Sequence, residues 1–75
     1  MRREIYDLLD SKFQKIAMIA GTIYLRNRPD FSLDTIHRCI VEMCEKSEIE
    51  HQGDISDMRK GEIRLRQVSG SPIFQ

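Results

Sequence analysis

The side chains best suited to metal binding or nucleophilic chemistry in this chain are two histidines, His37 and His51, and two cysteines, Cys39 and Cys44. A zinc site usually takes three or four Cys, His or carboxylate ligands at short, recognisable spacings. No C-x-x-C or H-x-x-x-H pair occurs in the sequence. A cysteine nucleophile needs a base positioned beside it, and the sequence places none beside either thiol. We therefore predict no metal site, no cofactor and no catalytic residue.

Other catalytic motifs are absent as well. There is no G-x-S-x-G, no glycine-rich phosphate loop and no pair of carboxylates that the spacing brings together. The chain has 75 residues, and a ligand cleft of roughly 300–1,000 Å³ would consume most of the core that such a chain can form. These features predict that the protein is not an enzyme.

The two cysteines also indicate the compartment. Cys39 and Cys44 lie five positions apart in one predicted helix, so their side chains point about 140° apart and cannot form a disulfide bond. The start of the chain does not resemble a signal peptide, because Glu4 follows Met1-Arg2-Arg3 at once. The longest nearly uncharged run, residues 16–25, is shorter than the roughly 20 residues that cross a bilayer. We predict a reducing, cytoplasmic location and no membrane association.

Charge gives no overall preference for nucleic acid. The 12 basic residues balance the 12 acidic ones, whereas a dedicated nucleic-acid binder usually carries a basic excess. A local patch can still bind phosphate. The basic residues cluster in a central loop, with Arg26 and Arg28, and near the C-terminal end of the chain, with Arg59, Lys60, Arg64 and Arg66.

Apolar residues in the first half recur at helical spacing, with an interruption at Asp10-Ser11-Lys12. The pattern allows either one helix over about residues 3–25 or two helices separated at Ser11, and it favours the break. Ser11 and Gln14 have the spacing of a capping box for the second helix. Gly21, which is unfavourable inside a helix, suggests that a neighbouring element approaches closely there.

The clearest helix runs from Leu33 to Lys46, with an apolar stripe on one side and polar residues on the other. Asp30 or Ser32 can cap its start. The period then changes from 3.6 to 2, which predicts short antiparallel strands at about Ile49–Gln52 and Glu62–Arg66. The segment between them, Ile55 to Lys60, is predicted to be a connecting loop.

Together these elements predict a mostly helical α+β fold in which three helices are followed by a two-stranded antiparallel hairpin, similar to a winged helix. Residues 1–67 would form the single domain and residues 68–75 a mobile tail. The predicted core consists of Ile5, Leu9, Phe13, Ile16, Ala20, Ile36, Ile40, Val41 and Cys44, with Ile63 and Leu65 directed inward from the hairpin.

The stretch from Gly53-Asp54-Ile55-Ser56-Asp57-Met58-Arg59 to Glu62-Ile63-Arg64-Leu65, after an amphipathic helix, resembles the C-terminal helical domain of a bacterial family of unknown function, DUF3658. Phe13-Gln14-Lys15-Ile16-Ala17 is also similar to that family. The resemblance covers roughly residues 11–66 and implies a fold but no activity. In that family the domain usually follows another domain.

The sequence therefore predicts a small, non-catalytic binding or regulatory protein that acts through protein–protein interaction, in the manner of an immunity protein, antitoxin or adaptor. A homodimer is compatible with this prediction. The alternative is a winged-helix DNA-binding regulator. Two surfaces compete for the partner: the polar face of the third helix (Asp34, Arg38, Glu42 and Glu45) and the basic hairpin (Arg59, Lys60, Arg64 and Arg66). Because four clustered cations favour an anionic ligand, we predict that an acidic partner binds the hairpin.

Overall fold

The computed structural model describes residues 1–27 and 30–66, so the predicted tail at 68–75 lies outside the described residues. The described part has an α+β fold with three helices and a three-stranded antiparallel sheet. In chain order the elements are α1 (Arg2–Leu8), β1 (Gln14–Lys15), α2 (Ile16–Asn27), α3 (Leu33–Glu45), β2 (Ile49–Gln52) and β3 (Glu62–Leu65).

The predicted break in the N-terminal half is confirmed. Leu9 ends α1 in an extended conformation, and Lys12 N–H donates to Asp10 Oδ1 over 2.8 Å in the connection. The predicted capping box is wrong, because α2 begins only at Ile16 and Gln14 Nε2 instead donates to the Leu8 carbonyl over 3.1 Å. Gln14 lies in β1, a strand that the sequence did not predict.

The third helix lies where its amphipathic pattern predicted. Ser32 caps its start, since Thr35 N–H donates to Ser32 Oγ over 3.1 Å. The side chains that α3 buries are Ile36, Ile40, Met43 and Cys44. At the other end, Ser47 adopts a positive φ of 59°, which turns the chain from α3 into β2.

The sheet has the strand order β1-β3-β2, so the predicted hairpin is extended by one strand. In β1, Gln14 pairs with Ile63 and Lys15 with Glu62. In β2, the register runs from Ile49 opposite Leu65 to Gln52 opposite Glu62. The order of three helices followed by two strands is therefore corrected to one helix, one strand, two helices and two strands.

The core lies between the three helices and the inner face of the sheet. Its buried apolar side chains are Ile5, Leu9, Ile16, Ile19, Ala20, Ile23, Ile36, Ile40, Met43, Cys44, Ile49 and Ile63. The prediction placed Phe13, Val41 and Leu65 there, but each is only partly buried. It omitted Ile19, Ile23, Met43 and Ile49.

The expectation of a close approach at Gly21 is wrong. A methyl group added at Gly21 would meet no heavy atom within 4 Å, so this face of α2 is open. None of the helices in residues 1–27 and 30–66 combines the length and apolar character that a bilayer span requires.

Candidate functional site

The outer face of the sheet carries two rows of side chains that run across it, and the first row starts at Phe13, the residue before β1. Successive residues of a strand point to opposite faces, so the residues facing the core, such as Ile49 and Ile63, alternate with outward ones. The first row is Phe13, Arg64 and Glu50, and the second is Lys15, Glu62 and Gln52.

Arg64 occupies the centre of the first row. Its guanidinium lies over the Phe13 ring, 4.4 Å from the centroid, and its Nε donates to Glu50 Oε1 over 2.6 Å. The side chains of Arg64 and Glu50 are each about one-third exposed. Stacking on an aromatic ring and a short ion pair both restrict the guanidinium. The Arg64 guanidinium is therefore fixed in position, and the Glu50 carboxylate partly neutralises its charge.

The second row is neutralised in a similar way. Lys15 Nζ lies 3.8 Å from Glu62 Oε2, and Gln52 Nε2 donates to the other oxygen of that carboxylate. The first row thus connects the strands through a stacked aromatic ring and an ion pair, and the second through polar side chains. Cross-strand pairs of this kind stabilise antiparallel sheets and fix their register.

The four predicted binding cations fall into two separate pairs. Arg64 and Arg66 lie on or just after β3, where Arg66 Nη1 donates to the Ser47 carbonyl over 2.9 Å. Arg59 and Lys60 lie before β3 and are exposed. A strand of this length spans roughly 13 Å at about 3.3 Å per residue, so the pairs lie at opposite ends of the hairpin.

The loop that carries Arg59 and Lys60 is anchored to the helices by three hydrogen bonds. Ile16 N–H donates to the Gly61 carbonyl over 3.0 Å, and Ala17 N–H donates to the Met58 carbonyl over 2.9 Å. His37 Nε2 lies 2.7 Å from the Ile55 carbonyl, to which it donates. The first amide groups of a helix have no partner within the helix, so this loop satisfies the start of α2.

Two aspartates shape the loop internally. Asp54 Oδ1 accepts from the Ser56 hydroxyl and the Ser56 amide over 2.5 and 3.0 Å, and these bonds hold the pKa of the Asp54 carboxyl below its usual value. Asp57 Oδ1 accepts from the Arg59 amide over 2.9 Å. Such local turns fix the backbone on which Arg59 and Lys60 are presented.

The competing surface on α3 is occupied by ion pairs. Arg38 contacts Asp34 over 3.4 Å, and both side chains are more than 80% exposed. Glu42 accepts from Arg2 over 3.1 Å. Arg2 also donates to Glu48 over 2.8 Å, and the hydrogen bonds to Glu48 and Glu42 raise the pKa of Arg2.

A groove of about 510 Å³ runs along β2 and the end of β3. It is lined by Phe13, Cys44, Ser47, Ile49, Glu50, His51, Gln52, Arg64 and Arg66. It therefore includes two of the predicted cations and two residues that sequence reasoning left out of the site, Phe13 and Glu50. The period-2 pattern of β3 could have assigned Arg64 to the outer face, but only the pairing of strands shows what lies beside it.

The two histidines and the two cysteines are dispersed over the fold. His37 holds the hairpin loop, whereas His51 lies exposed on β2. In the part of the chain that the structure describes, no three His, Cys, Asp or Glu side chains are grouped so that they could hold a metal ion. Cys39 is half-buried, Cys44 is buried, and both are free thiols.

We expect both thiols to alkylate slowly in the folded protein and rapidly in denaturant. Burial, with a smaller effect from Glu45, raises the pKa of the Cys44 thiol to about 11, and burial also raises the pKa of Cys39. Thiolate is the reactive form, so at pH 8 a higher pKa leaves less of it. Mass spectrometry after timed iodoacetamide treatment measures the rates. Rapid modification of folded Cys44, or a stable loss of two hydrogens, would contradict the expectation.

Comparison of the chain with family models, curated proteins and solved structures found no match. The resemblance to the DUF3658 family remains a prediction from the quoted residues. The candidate site consists of two parts. One is the outer face of the sheet with Arg64 at its centre, and the other is the ordered loop before β3 with the exposed cations Arg59 and Lys60.

Proposed function

We propose that this protein is a non-catalytic, intracellular binding and regulatory protein, comparable to an immunity protein, antitoxin or adaptor, that recognises an acidic protein partner. The proposed surface is the hairpin with Arg59, Lys60, Arg64 and Arg66. The ordered loop carries the proposal: Arg59 and Lys60 are exposed on a backbone that hydrogen bonds attach to α2 and α3. A loop ordered before binding loses less conformational entropy when a partner docks.

Arg64 and Arg66 would extend this surface along β3. Arg64 is held between Phe13 and Glu50, and an acidic side chain of the partner could share its guanidinium, which has five donors. Arginine is suited to this role because its planar fork binds carboxylates at two points. An acidic partner would thus contact two ordered cations at one end of the hairpin and a stacked arginine at the other.

A winged-helix DNA-binding regulator is the second candidate. In support, α2 and α3 form consecutive helices followed by a β-hairpin, and a helix-turn-helix protein inserts its second helix into the major groove. Against it, the outward face of α3 offers Asp34, Glu42 and Glu45 with only Arg38 as a cation. Phosphates repel such a face, and cation–phosphate contacts supply most non-specific affinity. Any DNA contact would therefore depend on the hairpin cations.

The proposal predicts that reversing charge on the hairpin weakens partner binding. We expect the double substitution Arg59→Glu with Lys60→Glu to slow association with an acidic partner about tenfold or more, because charges at an interface rim act mainly on the association rate. The matched control is Glu45→Arg, an exposed reversal on α3. Surface plasmon resonance against the protein recovered by pull-down from the native host measures both rates at several salt concentrations.

Two outcomes would contradict the proposal. One is loss of binding in Glu45→Arg while the hairpin variant binds normally, which would assign the function to α3. The other is a shift of duplex DNA at micromolar protein and physiological salt that disappears in Arg64→Glu and Arg66→Glu. That result would establish the DNA-binding candidate, whose affinity should fall steeply with salt.

A further inference from the structure

One edge of the sheet has main-chain groups that point away from the fold. Leu65 N–H donates to the Asp10 carbonyl over 2.9 Å, on the β1 side of β3. Because successive residues of a strand direct their amide and carbonyl groups to alternate sides, Glu62 and Arg64 face β2. The main-chain groups of their partners, Glu50 and Gln52, point toward β3. The main-chain groups of Ile49 and His51 therefore point outward.

Proteins protect sheet edges with short strands, charged side chains, proline, bulges or a covering element. Strand β2 reads Ile-Glu-His-Gln, so it is short and has one charged side chain, but it has no proline or lysine. Within residues 1–27 and 30–66, β2 pairs with β3 alone. The charged side chain of β2, Glu50, is turned toward Arg64 on the outer face and forms an ion pair there. It therefore does not oppose an added strand as an isolated charge would.

We propose that β2 pairs with β2 of a second copy of this chain, antiparallel and about a two-fold axis, to form a continuous six-stranded sheet. The chain has a formal net charge of +0, so no net repulsion opposes association of two copies. A two-fold interface places the same patch on both sides. The side chains of β2 must therefore fit against those of an antiparallel copy of the same strand. Their charges decide which residues lie opposite each other.

Three registers place outward-pointing main-chain groups opposite each other, with Ile49, Glu50 or His51 on the axis. If Ile49 lies on the axis, Glu50 faces Glu48 of the second copy, so two carboxylates oppose each other. If Glu50 lies on the axis, two carboxylates face each other directly, which is destabilising. If His51 lies on the axis, Glu50 faces Gln52 of the second copy. The Gln52 amide already donates to Glu62 and has a second N–H that can donate to this carboxylate. The register with His51 on the axis is therefore the favoured one.

In this arrangement the first row of side chains on the outer face of one copy is continued by the second row of the other copy. Phe13, Arg64 and Glu50 of one chain would be followed by Gln52, Glu62 and Lys15 of the second. Arg59 and Lys60 are in the loop beyond β2 and take no part in this edge. The inference thus goes beyond the proposed recognition of an acidic partner and stands on a different observation.

The experiment is sedimentation equilibrium of the full chain, with reductant present, from roughly 10 µM to 1 mM, the range in which a weak dimer dissociates. We expect the mass to rise from 8.8 kDa toward twice that value. His51→Pro removes an outward N–H that β3 does not use, so the dimer should weaken at least tenfold. His51→Thr keeps the N–H and should dimerise like the original chain.

Hydrogen exchange on the unsubstituted chain provides a second measurement if His51→Pro does not fold. The His51 amide should become protected as concentration rises, while the Gln52 amide, which points toward β3, should not change. Gln52→Glu should weaken the dimer by opposing Glu50, whereas Gln52→Lys should preserve it. A monomer at 1 mM, equal dimerisation of His51→Pro and His51→Thr, or concentration-independent exchange at His51 would overturn the proposal.

Discussion

Replacing Gly61 with alanine should destabilise the domain severely. A Cβ atom there would lie 2.7 Å from Ile16 Cδ1, 2.8 Å from Ile55 Cα and 2.9 Å from the Asp54 carbonyl oxygen. The last two atoms are backbone and cannot turn aside, so the loop must move. Movement would strain the hydrogen bond from Ile16 N–H to the Gly61 carbonyl. Overpacking typically costs about 1–3 kcal/mol, and a lost hydrogen bond adds roughly 1 kcal/mol.

Urea unfolding measures this loss, and Gly21→Ala is the matched control. Gly21 lies within α2, where an added methyl group meets nothing within 4 Å. Alanine is favoured over glycine inside a helix by about 0.8–1.0 kcal/mol, so the control should stabilise the protein. Substitution of glycine by alanine should therefore lower the free energy of unfolding at Gly61 and raise it at Gly21. Equal stability of Gly61→Ala and the original protein would show that the loop does not pack as described.

Replacing Ile40 with alanine should cost about 2–5 kcal/mol. Ile40 lies on α3 with no exposed surface, and its truncation leaves a cavity in the centre of the core. Small domains have only about 5–15 kcal/mol of total stability, so this variant should unfold at a clearly lower denaturant concentration.

Leu25→Ala is the control, because it shortens an apolar side chain without leaving a cavity in the core. Leu25 is 67% exposed on α2, and an exposed substitution usually changes stability by less than about 0.5 kcal/mol. Denaturant unfolding followed by circular dichroism compares the two variants. A loss below about 1 kcal/mol for Ile40→Ala would contradict the described core.

The elements that the sequence predicted are those whose pattern extends over several turns or residues. Helix α3 repeats its apolar stripe along its whole length, and Ile63 and Leu65 alternate with charged residues in β3. Strand β1 has only two residues and leads directly into α2, so no period-2 pattern could form. Its existence depends on pairing with Glu62 and Ile63, and pairing is not a property of the local sequence.

The same limit explains the errors at the candidate site. Phe13 continues the spacing of the apolar residues in α2, which predicts a core position, but it lies outside that helix and stacks on Arg64. The ion pairs of Arg2 with Glu42 and of Arg64 with Glu50 join separate elements. The sequence predicts a single cluster of four cations near the C-terminal strand. The structure separates them into two pairs, and Glu50 neutralises Arg64.

The attachment of the hairpin loop to the start of α2 has a consequence for the order of folding. Strand β1 and the first amides of α2 find their partners in β3 and the loop before it, which follow α3 and β2 in the sequence. Contacts between residues so distant in sequence slow folding, because the intervening chain loses entropy before they form. During synthesis, α1 and the rest of α2 can form early. The sheet cannot be completed until β3 has left the ribosome.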